Sequence, residues 1–290
     1  MAERISGNTE LVGLFAYPIK HSKSPRLHNE AFAKLGIDIA YLAFEVDETE
    51  IKKAIDALRV LKLRGANISM PNKIEVIQYL DELSPAAEMA GAVNTVVNTD
   101  GYLVGHNTDG IGFVSALKDN GIDIIGKKMT IVGAGGAATA IQVQASLDGI
   151  KNISVFNNKD AFWSRAENNA KNIMLKTECD VVLYDLDNLD KLKEEIATSD
   201  IFVNATGVGM KPLEGQTYIP SLDFFHPDLV VFDVVYSPKE TALLKMSREA
   251  GCKSMNGEGM LLFQASAACQ LWTGQAMPIE YMKEVLGITY

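Results

Sequence analysis

Cysteine and histidine are scarce in this chain, and the few that occur follow no disulfide or metal-binding pattern. The three cysteines, Cys179, Cys252 and Cys269, are far apart and form no C-x-x-C pair. The four histidines show no H-E-x-x-H or similar ligand spacing. Scattered cysteines in odd number are typical of proteins from a reducing compartment. We therefore expect a cytoplasmic protein with no disulfide framework and no metal site.

Positive charge is also in short supply. Lysine and arginine number 27 against 37 aspartates and glutamates, and the net charge is -10. Nucleic-acid binding requires clustered Lys and Arg, so a nucleic-acid partner is not expected. An anionic small substrate stays compatible with this composition, because a local pocket can be basic within an acidic protein.

Long apolar segments that could cross a membrane are not expected either. Residues 259–279 carry no charge over 21 positions, which is long enough to span a bilayer. The segment nevertheless contains several glutamines, Ser266, Thr273 and Pro278, so we predict a buried helix that ends near Gly274. The N-terminal MAERISGNTE is polar and does not resemble a signal peptide. We expect no membrane partner.

The most informative stretch that is present covers residues 129–160. An apolar run at 129–132 precedes Gly133-Ala134-Gly135-Gly136-Ala137-Ala138, an Ala-rich helical segment follows, and a second apolar run covers 153–156. This strand, glycine turn, helix and strand match the G-x-G-x-x-G/A form of a dinucleotide-binding unit. The glycines permit a tight turn and close approach to a pyrophosphate, which the helix N-terminus attracts. The alternative is an ordinary tight turn in an α/β protein.

The rest of the chain predicts an α/β fold with two domains. Strand-like runs at 180–184, 201–205 and 229–235 alternate with helical segments, as in a doubly wound parallel sheet. The N-terminal part predicts a separate α/β unit, with strands at 11–17, 41–46 and 65–70 and a hairpin that turns at Asp100-Gly101.

Two helix starts and two helical stripes are predicted in the N-terminal part. Ser24 is expected to be the N-cap of a helix with Pro25 at its first position, and Asp109 is a plausible N-cap of another. The first helix would bury one face at 27–35, and the next stripe consists of Ile51, Ile55, Leu58 and Leu61. Lys73 follows a Pro turn, and by residue type alone a solvated surface lysine is the ordinary interpretation.

Eight motifs together resemble those of shikimate dehydrogenases. HSKSP, NISMPNK, GAVNT, NTDG, GAGGAA, NATGVGM, DVVY and NGEGMLLFQ occur in the order and spacing of that family, between residues 11 and 287. Ser69 and the AYPIKHS segment resemble the quinate/shikimate dehydrogenase branch.

The resemblance implies a fold, an activity and a set of ligands. An N-terminal α/β substrate domain at 1–108 would be joined to a Rossmann-type, doubly wound dinucleotide domain at 109–275, with the helix at 276–290 returning to the first domain. The active site would lie in the cleft between them. The enzyme would interconvert shikimate and 3-dehydroshikimate, and also quinate and 3-dehydroquinate, with NAD or NADP, in the pathway to chorismate and the aromatic amino acids. A homodimer stays open.

The resemblance also assigns residues. For the substrate, Ser22 and Ser24 would bind the carboxylate, and the ring hydroxyls and pocket wall would involve Lys73, Asn94, Asp109, Gln264, Tyr41, Ser69 and Tyr236. Asp109 would orient Lys73, which handles the hydroxyl proton, as a reaction without a metal requires of some side chain. For the cofactor, the implied residues are Gly133, Ala134, Gly135, Gly136 and Ala137 at the pyrophosphate, Asn157, Asn158, Lys159 and Asp160 at the adenosine, and Thr206, Val234 and Gly257 along the nicotinamide.

One departure from the family predicts the cofactor. NADP-using members resemble one another in an Asn-Arg-Thr or Asn-Arg-Arg stretch, whereas this chain has Asn158 at the Arg position. Without that planar cation, and with Asp160 nearby, we predict a preference for NAD with some use of NADP. Lys159 is a flexible cation that opposes this prediction.

Two other interpretations of the same scaffold stay open. One is a catalytically silent relative that binds its ligand as a sensor, against which the intact Lys73 and Asp109 argue. The other is a dehydrogenase for a related cyclic polyhydroxy acid or an amino-substituted analogue.

Overall fold

The computed structural model describes residues 5–20 and 22–288, so His21 of the HSKSP motif and the two termini lie outside the described residues. The chain divides into two compact units. The first contains residues up to Gly112 and the returning segment Leu262–Ile288, and the second is Phe113–Leu261. The boundaries expected from the sequence were 108 and 275; the divisions follow residues 112 and 261 and fall inside two helices.

The first unit is built on a six-stranded mixed sheet of order β2-β1-β3-β5-β6-β4. Strands β1 to β3 are mutually parallel, β5 is antiparallel to both β3 and β6, and β4 is parallel to β6. The strands are β1 (Glu10–Ala16), β2 (Ile39–Glu45), β3 (Gly65–Ile68), β4 (Glu82–Leu83), β5 (Thr95–Thr99) and β6 (Tyr102–His106). The helices lying wholly in this unit are α1 (Ser24–Leu35), α2 (Ile51–Val60), α3 (Pro85–Ala90) and α10 (Ile279–Leu286), with a 3-10 helix at Glu75–Tyr79.

The core of the first unit follows the predicted helical stripe with one exception. Ile51, Ile55 and Leu58 of α2 are completely buried and pack against the apolar residues of β3 and β5. Leu61, expected to extend the stripe, is instead exposed, because the helix ends at Val60 and Leu61 caps it. The stripe therefore ends one turn earlier than the sequence suggested.

The start of α1 differs from the prediction. The helix begins at Ser24, so Lys23 is the N-cap, and no side chain provides a capping hydrogen bond. The Ser24 N–H donates instead to the Ser22 hydroxyl at 3.2 Å. The expectation that Ser24 is the N-cap was wrong, and its hydroxyl is used elsewhere, as described below.

The returning segment of the chain completes the core of the first unit through Trp272. This side chain is 1% exposed, and its indole N–H donates to the Val96 carbonyl oxygen at 3.0 Å. A Cβ at Gly65 would collide with both that carbonyl oxygen and the indole ring. Arg64 Nε donates to the Trp272 carbonyl oxygen at 2.7 Å. Residues more than 170 positions apart along the chain thus form one packed layer.

The second unit is built on a six-stranded sheet of order β12-β11-β10-β7-β8-β9 with every described pairing parallel. This is the strand order of a Rossmann fold, as predicted from the glycine-rich stretch. The strands are β7 (Lys128–Val132), β8 (Asn152–Asn157), β9 (Asp180–Asp185), β10 (Ile201–Asn204), β11 (Val230–Asp233) and β12 (Lys253–Met255). The helices are α4 (Asp109–Asp119), α5 (Gly136–Leu147), α6 (Trp163–Lys176), α7 (Leu189–Ala197), α8 (Ala242–Glu249) and α9 (Glu258–Thr273), of which α4 and α9 contain the unit boundaries.

The uncharged run near the C-terminus is a helix that ends at Thr273, as expected. Within residues 5–20 and 22–288, no helix combines the length and the apolar character needed to cross a membrane.

Candidate active site

Lys73 and Asp109 form a short ion pair in the first unit. Lys73 Nζ lies 2.6 Å from Asp109 Oδ2, and the two side chains are 23% and 16% exposed. The Lys73 backbone is held by a hydrogen bond from the Val93 N–H to its carbonyl oxygen at 2.8 Å. A partly buried, paired ammonium does not fit the alternative of a solvated surface lysine.

Asn94 fixes the other side of the Asp109 carboxylate. Its Nδ2 donates to Asp109 Oδ1 at 2.8 Å and to Thr108 Oγ1 at 3.0 Å, and its Oδ1 accepts from the Thr108 N–H at 2.8 Å. Asn94 is 3% exposed, so these bonds are shielded from water. Asp109 is the first residue of α4, and its carboxylate points to Lys73 and Asn94. The arrangement leaves the Lys73 ammonium with further N–H donors for a ligand oxygen.

A second hydrogen-bonded chain connects Ser24 to this network. The Ser24 side chain is hydrogen-bonded to the Tyr41 hydroxyl, which donates to Asn67 Oδ1 at 2.7 Å. Asn67 Nδ2 donates to Thr95 Oγ1 and to the Asn94 carbonyl oxygen, both at 3.0 Å. Burial raises the pKa of the Tyr41 hydroxyl, which therefore stays neutral. Ser24 and Asn94 are thus held by one continuous polar layer.

The remaining substrate residues named from the sequence lie on or after four different elements. Ser22 and Ser69 follow β1 and β3, and both are half-buried, as is Gln264 on α9 of the same unit. The Ser69 N–H donates to the Phe15 carbonyl oxygen at 3.0 Å, which fixes the turn after β3. Tyr236 follows β11 in the second unit and is 40% exposed.

In the second unit, the glycine turn connects β7 to α5 as predicted. Gly133 has φ 115°, and a Cβ there would lie 2.9 Å from the Ala205 carbonyl oxygen, so only glycine suits this position. Gly135 is the N-cap of α5 and, being glycine, has no side chain with which to cap the helix. A Cβ on Gly135 or Gly136 would meet no atom within 4 Å. The open backbone and uncapped N–H groups fit a dinucleotide pyrophosphate.

Thr206, Val234 and Gly257 lie at the same carboxyl edge of this parallel sheet. Thr206 follows β10, and both its N–H and its hydroxyl donate to Asn204 Oδ1, at 3.2 and 2.7 Å. The Gly257 N–H donates to the Val235 carbonyl oxygen at 3.1 Å, and a Cβ at Gly257 would collide with the Val234 carbonyl oxygen. Ligands of open parallel sheets bind at this edge, where the glycine turn also lies.

The loop after β8, residues 157–160, has few groups suited to a second phosphate. Lys159 Nζ pairs with Asp185 Oδ2 at 2.9 Å, and this bond lowers the pKa of the Asp185 carboxyl. Asp160 Oδ1 accepts from the Phe162 N–H at 2.8 Å and from Asn157 Nδ2 at 3.1 Å. Asn158, the position at which the sequence comparison with NADP-using members predicts an arginine, is exposed. The one cation in the loop is therefore already paired.

Comparison with known proteins identifies the family. Residues 14–96 match the family described as "Shikimate dehydrogenase substrate binding domain", and residues 257–286 match "Shikimate 5'-dehydrogenase C-terminal domain". A "Shikimate dehydrogenase (NADP(+))" from Listeria monocytogenes is 57% identical over 286 residues, which are 99% of this chain and 98% of the relative. The chain belongs to the shikimate dehydrogenase family.

Solved structures agree with the family assignment. A crystal structure of shikimate 5-dehydrogenase from Listeria monocytogenes in complex with shikimate and NAD has a TM-score of 0.97, is 57% identical and matches over 99% of both chains. Quinate dehydrogenase from Corynebacterium glutamicum in complex with NAD has a TM-score of 0.85 at 32% identity, over 97% of this chain and 99% of that one. The resemblance read from the sequence motifs is thus confirmed at the level of family and fold.

The networks around the family motifs contain residues that the sequence analysis did not name. Asn67, Thr95 and Thr108 connect the named substrate residues, and Asn204 and Asp233 hold the loop that carries Thr206. Each of them stands within a quoted motif. Their side-chain chemistry was visible in the sequence, but their partners were not.

Among residues 5–20 and 22–288, no three His, Cys, Asp or Glu side chains come together as a cation site. Cys179, Cys252 and Cys269 are all buried thiols without a disulfide.

Proposed function

We propose that this protein is a shikimate dehydrogenase that interconverts shikimate and 3-dehydroshikimate with a nicotinamide dinucleotide. The observation that carries the proposal is the Lys73–Asp109–Asn94 cluster, in which a partly buried ammonium lies 2.6 Å from a carboxylate fixed from its other side. A chain 57% identical over its length is named for this activity, and a solved relative at the same identity holds shikimate and NAD.

The residue types match the chemistry of alcohol oxidation. When bound, the nicotinamide accepts the hydride from the alcohol carbon. Lys73 Nζ takes the role of hydrogen-bonding the alcohol oxygen and handling its proton, while Asp109 and Asn94 fix the position of the ammonium. Gln264 and Ser69 supply amide and hydroxyl groups that can both donate and accept, which suits a ring with several hydroxyls.

We propose that Ser22 and Ser24 bind the substrate carboxylate. The Ser24 hydroxyl is oriented by Tyr41, and the Ser22 hydroxyl by the Ser24 N–H, so both are placed before a ligand arrives. Tyr236, which follows β11, is proposed as a further substrate residue. The glycine turn, residues 157–160, Thr206, Val234 and Gly257 form the proposed dinucleotide set.

We further propose that NAD is preferred over NADP. A chain at 57% identity carries NADP(+) in its name and a solved relative at the same identity holds NAD, so the names alone do not decide. In the loop itself, Lys159 is paired with Asp185 and Asn158 replaces the arginine. A charge-assisted hydrogen bond is worth about 1.5–3 kcal/mol, so its absence weakens NADP binding roughly 10–150-fold.

Quinate is proposed as a second substrate. Its ring is saturated and carries an additional hydroxyl on the carbon that bears the carboxylate, whereas shikimate has a ring double bond there. This hydroxyl would lie beside Ser22 and Ser24, whose hydroxyls can both donate and accept. The quinate dehydrogenase from Corynebacterium glutamicum, with a TM-score of 0.85, shares this architecture. We place the reaction in the cytoplasm, in keeping with three unpaired thiols.

The decisive experiment is dinucleotide reduction, followed by absorbance, with NAD or NADP and with shikimate or quinate. We expect rapid reduction of NAD with shikimate and slower reduction with quinate. Binding of shikimate and NAD by calorimetry without any reduction would support the silent sensor instead. Asn158→Arg, compared with Asn158→Gln as a control, should raise the NADP-to-NAD ratio of kcat/KM about 10-fold or more. A tenfold NADP advantage in the unmutated protein would overturn the cofactor proposal.

A further inference from the structure

The carboxylate of Asp233 is the most deeply buried charged group at the carboxyl edge of the parallel sheet. Asp233 ends β11 and is 0% exposed. Its Oδ1 accepts from Asn204 Nδ2 at 2.9 Å and from the Val235 N–H at 3.1 Å, and its Oδ2 accepts from Thr241 Oγ1 at 2.6 Å. One side chain therefore contacts the end of β10, the loop after β11 and the start of α8.

Asn204 extends this contact to the loop after β10. Its Nδ2 donates to the Val208 carbonyl oxygen at 3.0 Å as well as to Asp233, and its Oδ1 accepts both hydrogen bonds from Thr206. The Thr206 hydroxyl in turn accepts from the Val208 N–H at 3.1 Å. The orientation of the Asn204 amide, and hence of Thr206, is set by the acceptor at Asp233.

Thr241, the other side-chain partner of Asp233, contacts the loop after β10 at Gly209. Gly209 has φ 103°, and a Cβ there would lie 3.2 Å from the Thr241 methyl group, so the loop after β10 packs directly on Thr241. The Thr241 hydroxyl also caps α8 by accepting from the Leu244 N–H at 3.3 Å. Asp233 is thus hydrogen-bonded to Asn204, where the loop after β10 begins, and to Thr241, on which Gly209 of that loop packs.

We propose that Asp233 is a positioning residue that holds Thr206 and Val234 in place for the nicotinamide end of the dinucleotide. The proposal rests on the dinucleotide site proposed above. Asp233 is completely buried, and it acts through Asn204 on Thr206 and through the Val235 N–H on the backbone beside Val234. The three donors to its oxygens are all neutral groups.

Neutral donors do not compensate the burial of a full charge. Burial raises the pKa of Asp233 to about 6, although the bonds from Thr241, Val235 and Asn204 oppose this rise. A leucine or valine would pack at this position without that cost. The retention of a buried carboxylate at a sheet edge that needs fixed loops agrees with a positioning role.

The test compares three variants by steady-state kinetics well below their melting temperatures. Asp233→Ala removes both acceptors, so kcat/KM for the dinucleotide should fall about 10–100-fold, since misplacement of a reacting group costs turnover. Asp233→Asn keeps one oxygen that accepts from Asn204 and gains an amide N–H₂ that can donate to the Thr241 hydroxyl oxygen, so it should recover kcat/KM to within about threefold of the wild type. Glu195→Ala, which removes a buried carboxylate from α7, is the matched control and should lower the melting temperature only.

The outcomes separate this proposal from the function itself. A wild-type protein that reduces neither NAD nor NADP with shikimate contradicts the proposed function, whatever Asp233 does. An active wild type together with an Asp233→Ala variant of unchanged kcat/KM overturns the positioning role. Equal losses in Asp233→Asn and Asp233→Ala would also overturn it, because the charge and not the hydrogen-bond geometry would then be responsible.

Discussion

The parallel sheet in the second unit has a buried carboxylate near each edge, and the two carboxylates have different kinds of hydrogen-bond donors. At the amino edge, Glu195 is 8% exposed and accepts from Lys128 and Ser154 at one oxygen and from Lys191 and Tyr184 at the other. At the carboxyl edge, the described donors to Asp233 are the neutral Asn204 amide, Val235 N–H and Thr241 hydroxyl. The charge of Glu195 is therefore compensated by lysines, whereas the carboxyl edge combines Asp233 with the open glycine turn.

The pKa directions express this difference. Burial alone would raise the pKa of Glu195, but hydrogen bonds from Lys128, Lys191 and Ser154 outweigh it and lower the pKa to about 2. For Asp233 burial prevails and raises the pKa to about 6. A carboxylate surrounded by lysines stabilises the fold, while one surrounded by neutral donors costs stability and is retained for the geometry that it imposes.

The largest expected effect is the loss of turnover on removing Lys73. Lys128, whose ion pair is equally short, provides the matched control. Lys73 and Lys128 each lie 2.6 Å from a carboxylate oxygen. Lys73→Ala should lower kcat roughly 10²–10⁴-fold in a folded protein, since it removes the group that handles the proton. Lys128→Ala should lower the melting temperature and leave kcat of the folded enzyme intact. Near wild-type turnover in folded Lys73→Ala would contradict the catalytic assignment.

The next effect is a pH dependence of stability at Asp233. Its folded pKa of about 6 lies above the unfolded value near 3.8, so the folded state binds more protons in this window and stability falls as the pH rises through it. Asp233→Asn escapes this loss. Its unfolding free energy relative to wild type should therefore increase by about 2 kcal/mol from about pH 4 to about pH 7. Denaturant melts at several pH values measure this, and a flat difference would contradict it.

The contribution of Glu195 to the free energy of unfolding should depend on pH with the opposite sign, and Glu195→Gln tests this. Breaking a buried pair costs several kcal/mol, and partial exposure of Lys128 reduces the expected loss to about 2 kcal/mol near neutral pH. The folded pKa of Glu195 lies below its unfolded value, so its stabilisation is complete above about pH 4.5 and disappears as the pH falls towards 2. The difference between wild type and variant should shrink in acid, and a difference that grows there would refute this account.

The smallest expected effect is a weaker binding of shikimate by the first unit, which a control variant distinguishes from a loss of stability. Replacing Ser22 and Ser24 together by alanine should raise KM for shikimate about tenfold and change kcat much less, because this contact is similar in ground and transition states. Ser84→Ala is the control: Ser84 is the true N-cap of α3, so its loss costs about 1 kcal/mol of stability without affecting KM. An unchanged KM in the double variant would place the carboxylate elsewhere.

The sequence predicted those features that depend on neighbours along the chain. The glycine turn, the strands around it and the hairpin at Asp100-Gly101 follow from local pattern, and the structure contains each of them. Ser24 misled the helix prediction because Ser-Pro is typical of a helix start, whereas its hydroxyl is engaged by Tyr41 on β2. Local chemistry identified the helix, but it could not reveal the contact between α1 and β2 that engages the Ser24 hydroxyl.

The hydrogen-bond networks could not be predicted in the same way. Asn204 and Asp233 meet because they are register partners in the parallel strands β10 and β11, 29 residues apart. Lys73 and Asp109 are 36 residues apart and were paired only through resemblance to a family. Sequence patterns show which side chains are polar, but strand order and register decide which of them touch.

The return of the chain to the first unit has a consequence for how the protein is made. The second unit is contiguous and can fold once its own residues have been synthesised. The first unit cannot, because the space beside Gly65 and Val96 is filled by Trp272, which is translated about 170 residues later. During synthesis the N-terminal sheet therefore has one apolar face incomplete until Trp272 has been translated. The part of the protein that is made first is thus the last to acquire its native core.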